Sequence, residues 1–368
     1  MELFKFNLGD FDALHEKIRK GEIEREEAVF LANKPSLLFG IADELRREER
    51  GEEVTYVVNR NINFTNVCLG DCKFCAFRVR AGEKRGREKG YFLSQEEVLN
   101  KVEEAVNAGA TEICIQGGLH PYLTLPDYCG ILEEIKSQFD VHLHAFSPME
   151  IFHAATGTGS GVSEEEVLKE LKNAGLGSIP GTAAEILDDS VRERICPSKI
   201  RTEKWVEIIR TAHRLGIPTT ATMLYGHIET LENRVDHLFK IREIQKETGG
   251  FTEFVPLKFM RQNNELGRTV RCEADFLESA VVHALARVIL HPWCVNVQAS
   301  WVKLGVSEAQ RMLDFGANDL GGTLMEESIS RLSGAVAGEY LRPEEFERLI
   351  KDAGRTPRQR STLYKIFE

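Results

Sequence analysis

The chain is poor in positive charge: 47 Lys and Arg stand against 58 Asp and Glu, a formal net charge of -11 over 368 residues. An acidic surface opposes phosphate backbones, which argues against a general nucleic-acid binder and leaves small molecules as the expected partners. No apolar run approaches the roughly 18 residues that a membrane span needs. No charged start followed by an apolar segment marks a secretory signal, so a cytoplasmic protein is expected. Histidine clusters with zinc-hydrolase spacing are missing, and this weakens the case for a metallohydrolase barrel.

Cysteine is present but unevenly used. Of the 8 cysteines, Cys68, Cys72 and Cys75 crowd into one short segment, while Cys114, Cys129, Cys196, Cys272 and Cys294 are scattered in apolar contexts. In a reducing compartment that pattern reads as one metal site plus buried thiols, not as a disulfide framework.

Residues 1–50 are polar and helix-periodic, as in Asp12 to Ile18 and Ile41 to Arg47, and hold no strand candidate. They form an N-terminal helical extension. From Val54 onward short apolar runs alternate with helical windows, the pattern of a parallel sheet with crossover helices. Eight runs stand out: Thr55 to Ile62, Glu112 to Gln116, Val141 to Ala145, Gly177 to Ile179, Thr219 to Met223, Thr252 to Pro256, Val295 to Val297 and Asn318 to Leu320. Eight is the count of an α/β protein of the (β/α)8 TIM-type, over residues 51–333. Ser94 with Glu97, and Ser163 with Glu166, have capping-box spacing; Gly109, Gly175 and Gly216 follow helical windows as stops. A doubly wound open sheet shares this alternation, so the strand count and the place of the site decide for the barrel. Residues 334–368 form a charged tail expected to be helical.

The segment Asn63 to Phe77, NFTNVCLGDCKFCAF, places the three cysteines in a Cys-x3-Cys-x2-Cys loop just after the first strand. In a parallel barrel such a loop opens onto the C-terminal face, where active sites are built. A ferredoxin-type cluster needs a fourth nearby thiolate, and structural zinc prefers paired Cys-x2-Cys units or added histidines. Three thiolates in a tight loop can hold three corners of a 4Fe-4S cube and leave one iron open.

This motif, with Phe74 before its last cysteine, resembles that of the radical S-adenosylmethionine (SAM) superfamily. The resemblance implies a radical SAM barrel in which Cys68, Cys72 and Cys75 ligate one 4Fe-4S cluster and the amino and carboxylate groups of SAM chelate the open iron. Reductive cleavage then yields methionine and a 5′-deoxyadenosyl radical, with the cofactor carrying the chemistry and the protein its orientation. It further implies a cofactor-binding set: the Gly-rich turn Gln116, Gly117 and Gly118, with Ser147, Glu185, Gly226 and Glu229. Glycine suits a turn where backbone approaches ligand, since no Cβ intervenes. In TMLYGHIE (Thr222 to Glu229) the superfamily's first glycine is Thr222 here, which loosens that match.

Between residues 55 and 330, HAFSPMEI (His144 to Ile151), PGTAAEILDD (Pro180 to Asp189), Ile208 to Glu229 and GGFTEFVPLKF (Gly249 to Phe259) are similar to the radical SAM group that makes deazaflavin and futalosine intermediates. Within it the CofH family matches best, through Thr252-Glu253-Phe254, Gln116 and Thr182-Ala183-Ala184. The resemblance implies transfer of the 4-hydroxybenzyl group of L-tyrosine to 5-amino-6-(D-ribitylamino)uracil, as half of FO synthesis for coenzyme F(420). CofG, which closes the deazaflavin ring, is the implied pathway partner; a single cysteine triad limits this chain to its own half. A futalosine-pathway enzyme of menaquinone biosynthesis is the alternative, and a non-catalytic iron-sulfur protein or zinc-binding barrel a more distant one.

Substrate contacts are sought at strand ends, where a zwitterion and a ribityl chain need convergent polar groups. The candidates are His120, His144, Tyr225, His227, Glu253 and Asn296, about half of which are expected to be structural. Arg78 to Lys89 (RVRAGEKRGREK) is strongly basic. It reads as a solvated loop, or as a dock for an acidic ferredoxin or flavodoxin.

Overall fold

The computed structural model describes residues 8–85, 88–157 and 161–367. Residues 1–7 of the expected N-terminal extension and 86–87 of the basic run lie outside the described residues.

A closed ring of parallel pairing organises the chain. β1 (Glu53–Val57) and β2 (Asn59–Asn63) run on from one another; β2 pairs with β3 (Glu112–Gln116), and β3 with β4 (His142–Ala145). His144 bridges to Ser178 and Ile179 to Thr219, carrying the ring to β5 (Thr219–Tyr225), which pairs with β6 (Phe251–Lys258). Phe254 then bridges to Val297, and Gln298 to Asp319 at the start of β7 (Asp319–Gly322), which pairs with β1. Every pairing is parallel, and the fold is a (β/α)8 barrel. All eight apolar runs lie on this ring, although at Ser178–Ile179 and Val297–Gln298 the strand is reduced to isolated bridges.

Both faces of a barrel strand are covered, by the lumen and by helices, so strands read as continuous buried runs. β5, TTATMLY, is buried at all seven positions. The helices start where the caps lie: Ser94 Oγ accepts from the Glu97 amide and Ser163 Oγ from that of Glu166. Each such cap contributes about 1 kcal/mol. Gly109, Gly175 and Gly216 all have positive φ, the conformation a helix stop requires.

The N-terminal region is helical, with α1 (Leu8–Arg19), α2 (Arg25–Ala32) and α3 (Pro35–Arg50); α2 and α3 pack against the barrel helices Leu231–Thr248 and Phe276–Leu290, and Arg19 of α1 bonds Glu44 and Glu48 of α3. Arg25 forks onto Asp236, and Arg242 Nη1 donates to the Ile23 carbonyl at 3.0 Å. The tail adds to its expected helix, Pro343–Asp352, a strand β8 (Thr356–Gln359) that pairs in parallel with β1. Its last residues turn under the barrel. Arg360, buried, binds both oxygens of Asp319 and lies 3.3 Å from Glu253 Oε2, while the Tyr364 hydroxyl donates to the same Glu253 oxygen at 2.7 Å. A charged tail was legible in the sequence, but a charge pattern does not say that its arginine is a plug.

Candidate active site

The loop after β2 is held by backbone bonds to four other segments. Cys68 N donates to Val79 O (3.0 Å), Leu69 N to Leu119 O (2.9 Å), Lys73 N to Ile195 O (2.8 Å), and Leu266 N to Lys73 O (2.9 Å). Asp71 and Ser198 add a reciprocal pair of backbone to side-chain bonds. Such pinning fixes the three thiols before any cofactor arrives. The sulfurs are not gathered tightly enough to hold a single ion, and among the described residues no group of three or more His, Cys, Asp or Glu is. Instead all three line one cavity of about 380 Å³ at the C-terminal end of the barrel.

Burial pushes the Cys68 and Cys72 thiols above their ordinary pKa, with the Lys199 ammonium opposing it at both. Thiolates there need further positive charge, as iron supplies; soft sulfur donors without a completing histidine suit an iron-sulfur cluster with one open iron. The residues present therefore fit the group that their motif implies. Opposite them, Lys199 pairs with Glu185, and its ammonium lies 5.5 Å from the Phe74 ring. Burial disfavours that ammonium, but Glu185, Cys72 and Cys196 together outweigh it and the pKa is raised. Glu185 itself sits at φ 46°, a strained conformation for a non-glycine residue, of the kind that clusters at functional sites.

The Gly-rich turn also faces the cavity. Gln116 Nε2 donates to Thr182 Oγ1 at 2.7 Å. Gly117 owes its lack of a side chain to packing: a Cβ there would lie 2.6 Å from the Phe64 ring, and its amide donates to Glu150 Oε1 at 3.0 Å. At Gly118 a Cβ would meet the Val67 carbonyl oxygen at 2.3 Å, so this glycine lets the turn close against the cysteine loop. Ser147 caps the helix Pro148–Thr156, and its hydroxyl and amide both donate to Glu150 Oε2 at 2.7 Å. Burial pushes Glu150 up to about 7, against the hydrogen bonds from Ser147 and Gly117 that favour its anion.

Nine of the named residues thus share the cavity wall: the three cysteines, Phe74, Gln116, Gly117, Gly118, Ser147 and Glu185. Others are placed elsewhere. Gly226, at φ 83°, donates its amide to Glu229, which also binds Arg234; burial opposes the Glu229 anion, but His227, Arg234 and the Gly226 amide hold it at about 2. His227 Nε2 bonds the Leu224 carbonyl, and the buried Tyr225 hydroxyl donates to Ser279 Oγ at 3.1 Å, on the helix side of the strand. His120 stacks obliquely on Phe92 outside the cavity.

Two candidates expected at or near strand C-termini are not there. Glu253 is the third residue of β6, which runs on to Lys258; Asn296 precedes its bridge and binds Arg50 and the Thr252 carbonyl. His144 is the penultimate residue of β4, near the strand end as expected, but it bonds Ser178 Oγ at 2.6 Å and does not line the cavity. For Glu253 and Asn296 the error lies in a strand end read two residues short or from a polar residue alone.

Residues not anticipated complete the cavity wall: Arg78, Glu150, Lys199, Lys258, Lys303 and Glu327. Glu150 carried a signal in the Ser-x-x-Glu spacing of its capping box, and Arg78 opens the basic run; Lys199, Lys258, Lys303 and Glu327 are single charges with no spacing to mark them.

Two family models cover most of the chain. The radical SAM superfamily matches residues 62–241, and the CofH/MqnC C-terminal region matches residues 248–368. The 5-amino-6-(D-ribitylamino)uracil--L-tyrosine 4-hydroxyphenyl transferase of Archaeoglobus fulgidus is 57% identical over 339 residues, 92% of this chain and 96% of that protein. The chain belongs to this family of radical SAM transferases. The relative of the same name from Methanocaldococcus jannaschii is 50% identical over 361 residues, 96% of this chain and 99% of the relative. Among solved structures, methylornithine synthase (PylB) superposes with TM-score 0.73 at 16% identity, covering 94% of this chain and 97% of its own. The hydrogenase maturase HydG from Carboxydothermus hydrogenoformans does so with TM-score 0.73 at 16% identity, covering 97% and 81%. At that identity they speak for the fold alone, and it is a radical SAM fold. The family uses a 4Fe-4S cluster and SAM. No helix among the described residues is long and apolar enough to cross a membrane.

Proposed function

We propose that this chain moves the 4-hydroxybenzyl group of L-tyrosine onto 5-amino-6-(D-ribitylamino)uracil, the CofH half of FO synthesis. The carrying observation is the 57% identity, over nearly its whole length, to a relative named for that tyrosine and aminouracil transfer. The C-terminal family model is shared with futalosine-type enzymes and does not discriminate; relatives named as the transferase at 50–57% identity favour the tyrosine reading over that alternative.

In this reading Cys68, Cys72 and Cys75 hold three irons. The bound cluster and SAM supply the hydrogen-abstracting radical. Phe74, Gln116, Gly117, Gly118, Ser147 and Glu185 form the wall against which SAM lies, and the cavity excludes water from reactive species. The Glu185–Lys199 pair keeps both charges partnered inside the wall. Gly226 and Glu229 shape the turn behind that wall without entering it. His120, His144, Tyr225, His227, Glu253 and Asn296 act as supports, since each is bonded or stacked away from the cavity. Residues 1–50, 51–333 and 334–368 serve as extension, barrel and tail. CofG takes the product onward, a reduced ferredoxin or flavodoxin supplies electrons, and the setting is cytoplasmic.

The test is product identification. Under anaerobiosis, with dithionite, SAM, L-tyrosine and the aminouracil, the enzyme forms 5′-deoxyadenosine and a 4-hydroxybenzyl adduct, with side-chain label from tyrosine in the adduct. Turnover of an enolpyruvyl benzoate or of dehypoxanthine futalosine, with tyrosine untouched, would sink this reading.

A further inference from the structure

Four cationic side chains reach the cavity wall: Arg78, Lys199, Lys258 and Lys303. Arg78 donates to the Gly70 carbonyl, Lys199 pairs with Glu185, and Lys258 lies 3.4 Å from both carboxylate oxygens of Glu308. Lys303 differs. It sits on the short helix Trp301–Leu304, just beyond the Val297–Gln298 position of the ring, and is partly buried. Its ammonium meets only the Met260 sulfur, at 4.0 Å, and among the described residues it has no carboxylate within ion-pair distance. Burial lowers its pKa, and Glu327 is the strongest influence pulling it back.

Glu327 has the complementary lack. It lines the same cavity and accepts from Asn61 Nδ2 (3.1 Å) and the Ser330 amide (2.8 Å), both neutral donors; among the described residues it pairs with no cation. An ammonium and a carboxylate therefore face one cavity without meeting each other. A charge withdrawn from water without a partner is costly, and a ligand that brings the opposite charge recovers that cost.

We propose that Lys303 and Glu327 together hold the zwitterionic head of the amino-acid substrate, its α-carboxylate on Lys303 and its α-ammonium on Glu327. This rests on the tyrosine reading above, and it assigns the pair to tyrosine and not to SAM, whose amino-acid head is expected at the iron beside the thiols. The uracil, which carries no carboxylate, has no use for Lys303. The clamp orients the Cα–Cβ bond that must break, which is a positioning role.

The experiment is calorimetric binding to the anaerobically reconstituted enzyme in the presence of SAM, without reductant. Three probes are compared: L-tyrosine, tyramine, which lacks the carboxylate, and 3-(4-hydroxyphenyl)propionate, which lacks the amine. Wild type should prefer tyrosine to either analogue by about tenfold or more, as charge-assisted bonds imply. Lys303→Met should lose about that factor for tyrosine and nothing for tyramine, with Lys303→Arg restoring part of it. Glu327→Gln should lose it for tyrosine and nothing for the propionate. SAM affinity and iron content should stay at the wild-type level. If Lys303→Met keeps its preference for tyrosine over tyramine, or loses SAM affinity in step with tyrosine affinity, the assignment is overturned. Wild type binding no tyrosine would instead overturn the substrate reading beneath it.

Discussion

The two ends of the barrel are both rich in buried charge, yet they handle it in opposite ways. At the N-terminal end Arg360 is met by Asp319 and Glu253, Glu253 also by Tyr364, Asp319 also by Thr55, and Arg50 reaches Asn296. At the C-terminal end Lys303 and Glu327 face a cavity and lack each other, and burial raises the Cys68 and Cys72 thiols above their ordinary pKa. Charge that is closed by the chain's own groups holds the fold; charge left open at a cavity is kept for something else. This is the physical content of the rule that barrels carry stability at one face and chemistry at the other.

The largest effect should come from the open end. Cys68→Ser, Cys72→Ser or Cys75→Ser should each abolish SAM cleavage, because one iron loses its protein ligand. Cys114→Ala and Cys196→Ala should keep iron near four per chain on anaerobic reconstitution. Cys196 is the demanding control, since it is buried close enough to Cys72 to influence it electrostatically. Loss of iron from Cys196→Ala with a motif cysteine dispensable would break the assignment of the triad.

The comparison sharpens when one kind of substitution is made at both ends. Arg360→Met leaves Asp319 and Glu253 buried without their cation and should cost about 3–5 kcal/mol, the range for breaking a buried pair. Lys303→Met removes no ion pair and takes away an unpartnered charge, so the urea midpoint should be no lower than that of wild type. Equal losses from both would show that Lys303 is structural after all. SAM binding measured on the folded fraction of Arg360→Met should be unchanged.

These two ends were not equally legible. The cysteine loop announced itself because its spacing is local in sequence and the chemistry requires it, and the eight strands because buried parallel strands leave apolar runs. Glu253 and Asn296 went astray for the opposite reason: a polar residue beside an apolar run gives no sign of which end of the strand it occupies. The partner that decides Glu253 is Arg360, 107 residues away, and no spacing rule spans that distance. Lys303 and Glu327 were silent for the same cause. What marks them is a missing partner, visible only once every neighbour is in place.

Glu150 tests the comparison most finely, because it belongs to the open end but is closed like the other. It is buried, lines the cavity, and accepts from the amide and hydroxyl of Ser147 and the amide of Gly117. Even so, burial prevails and raises it from 4.5 to about 7. Between those two values the folded chain keeps a proton that the unfolded chain has released, so stability falls as pH rises through this window. The contribution is fully present below about pH 4.5. It is lost by about pH 7, and one such group accounts for up to ~3 kcal/mol across the window. Glu150→Gln cannot titrate. Relative to wild type its urea midpoint, followed from pH 5 to pH 7.5 before cluster loading, should decline less steeply, whatever the amide costs at a single pH. A Gln variant with the wild-type slope would mean that the three donors already hold Glu150 as an anion, and would move it to the closed class with Asp319.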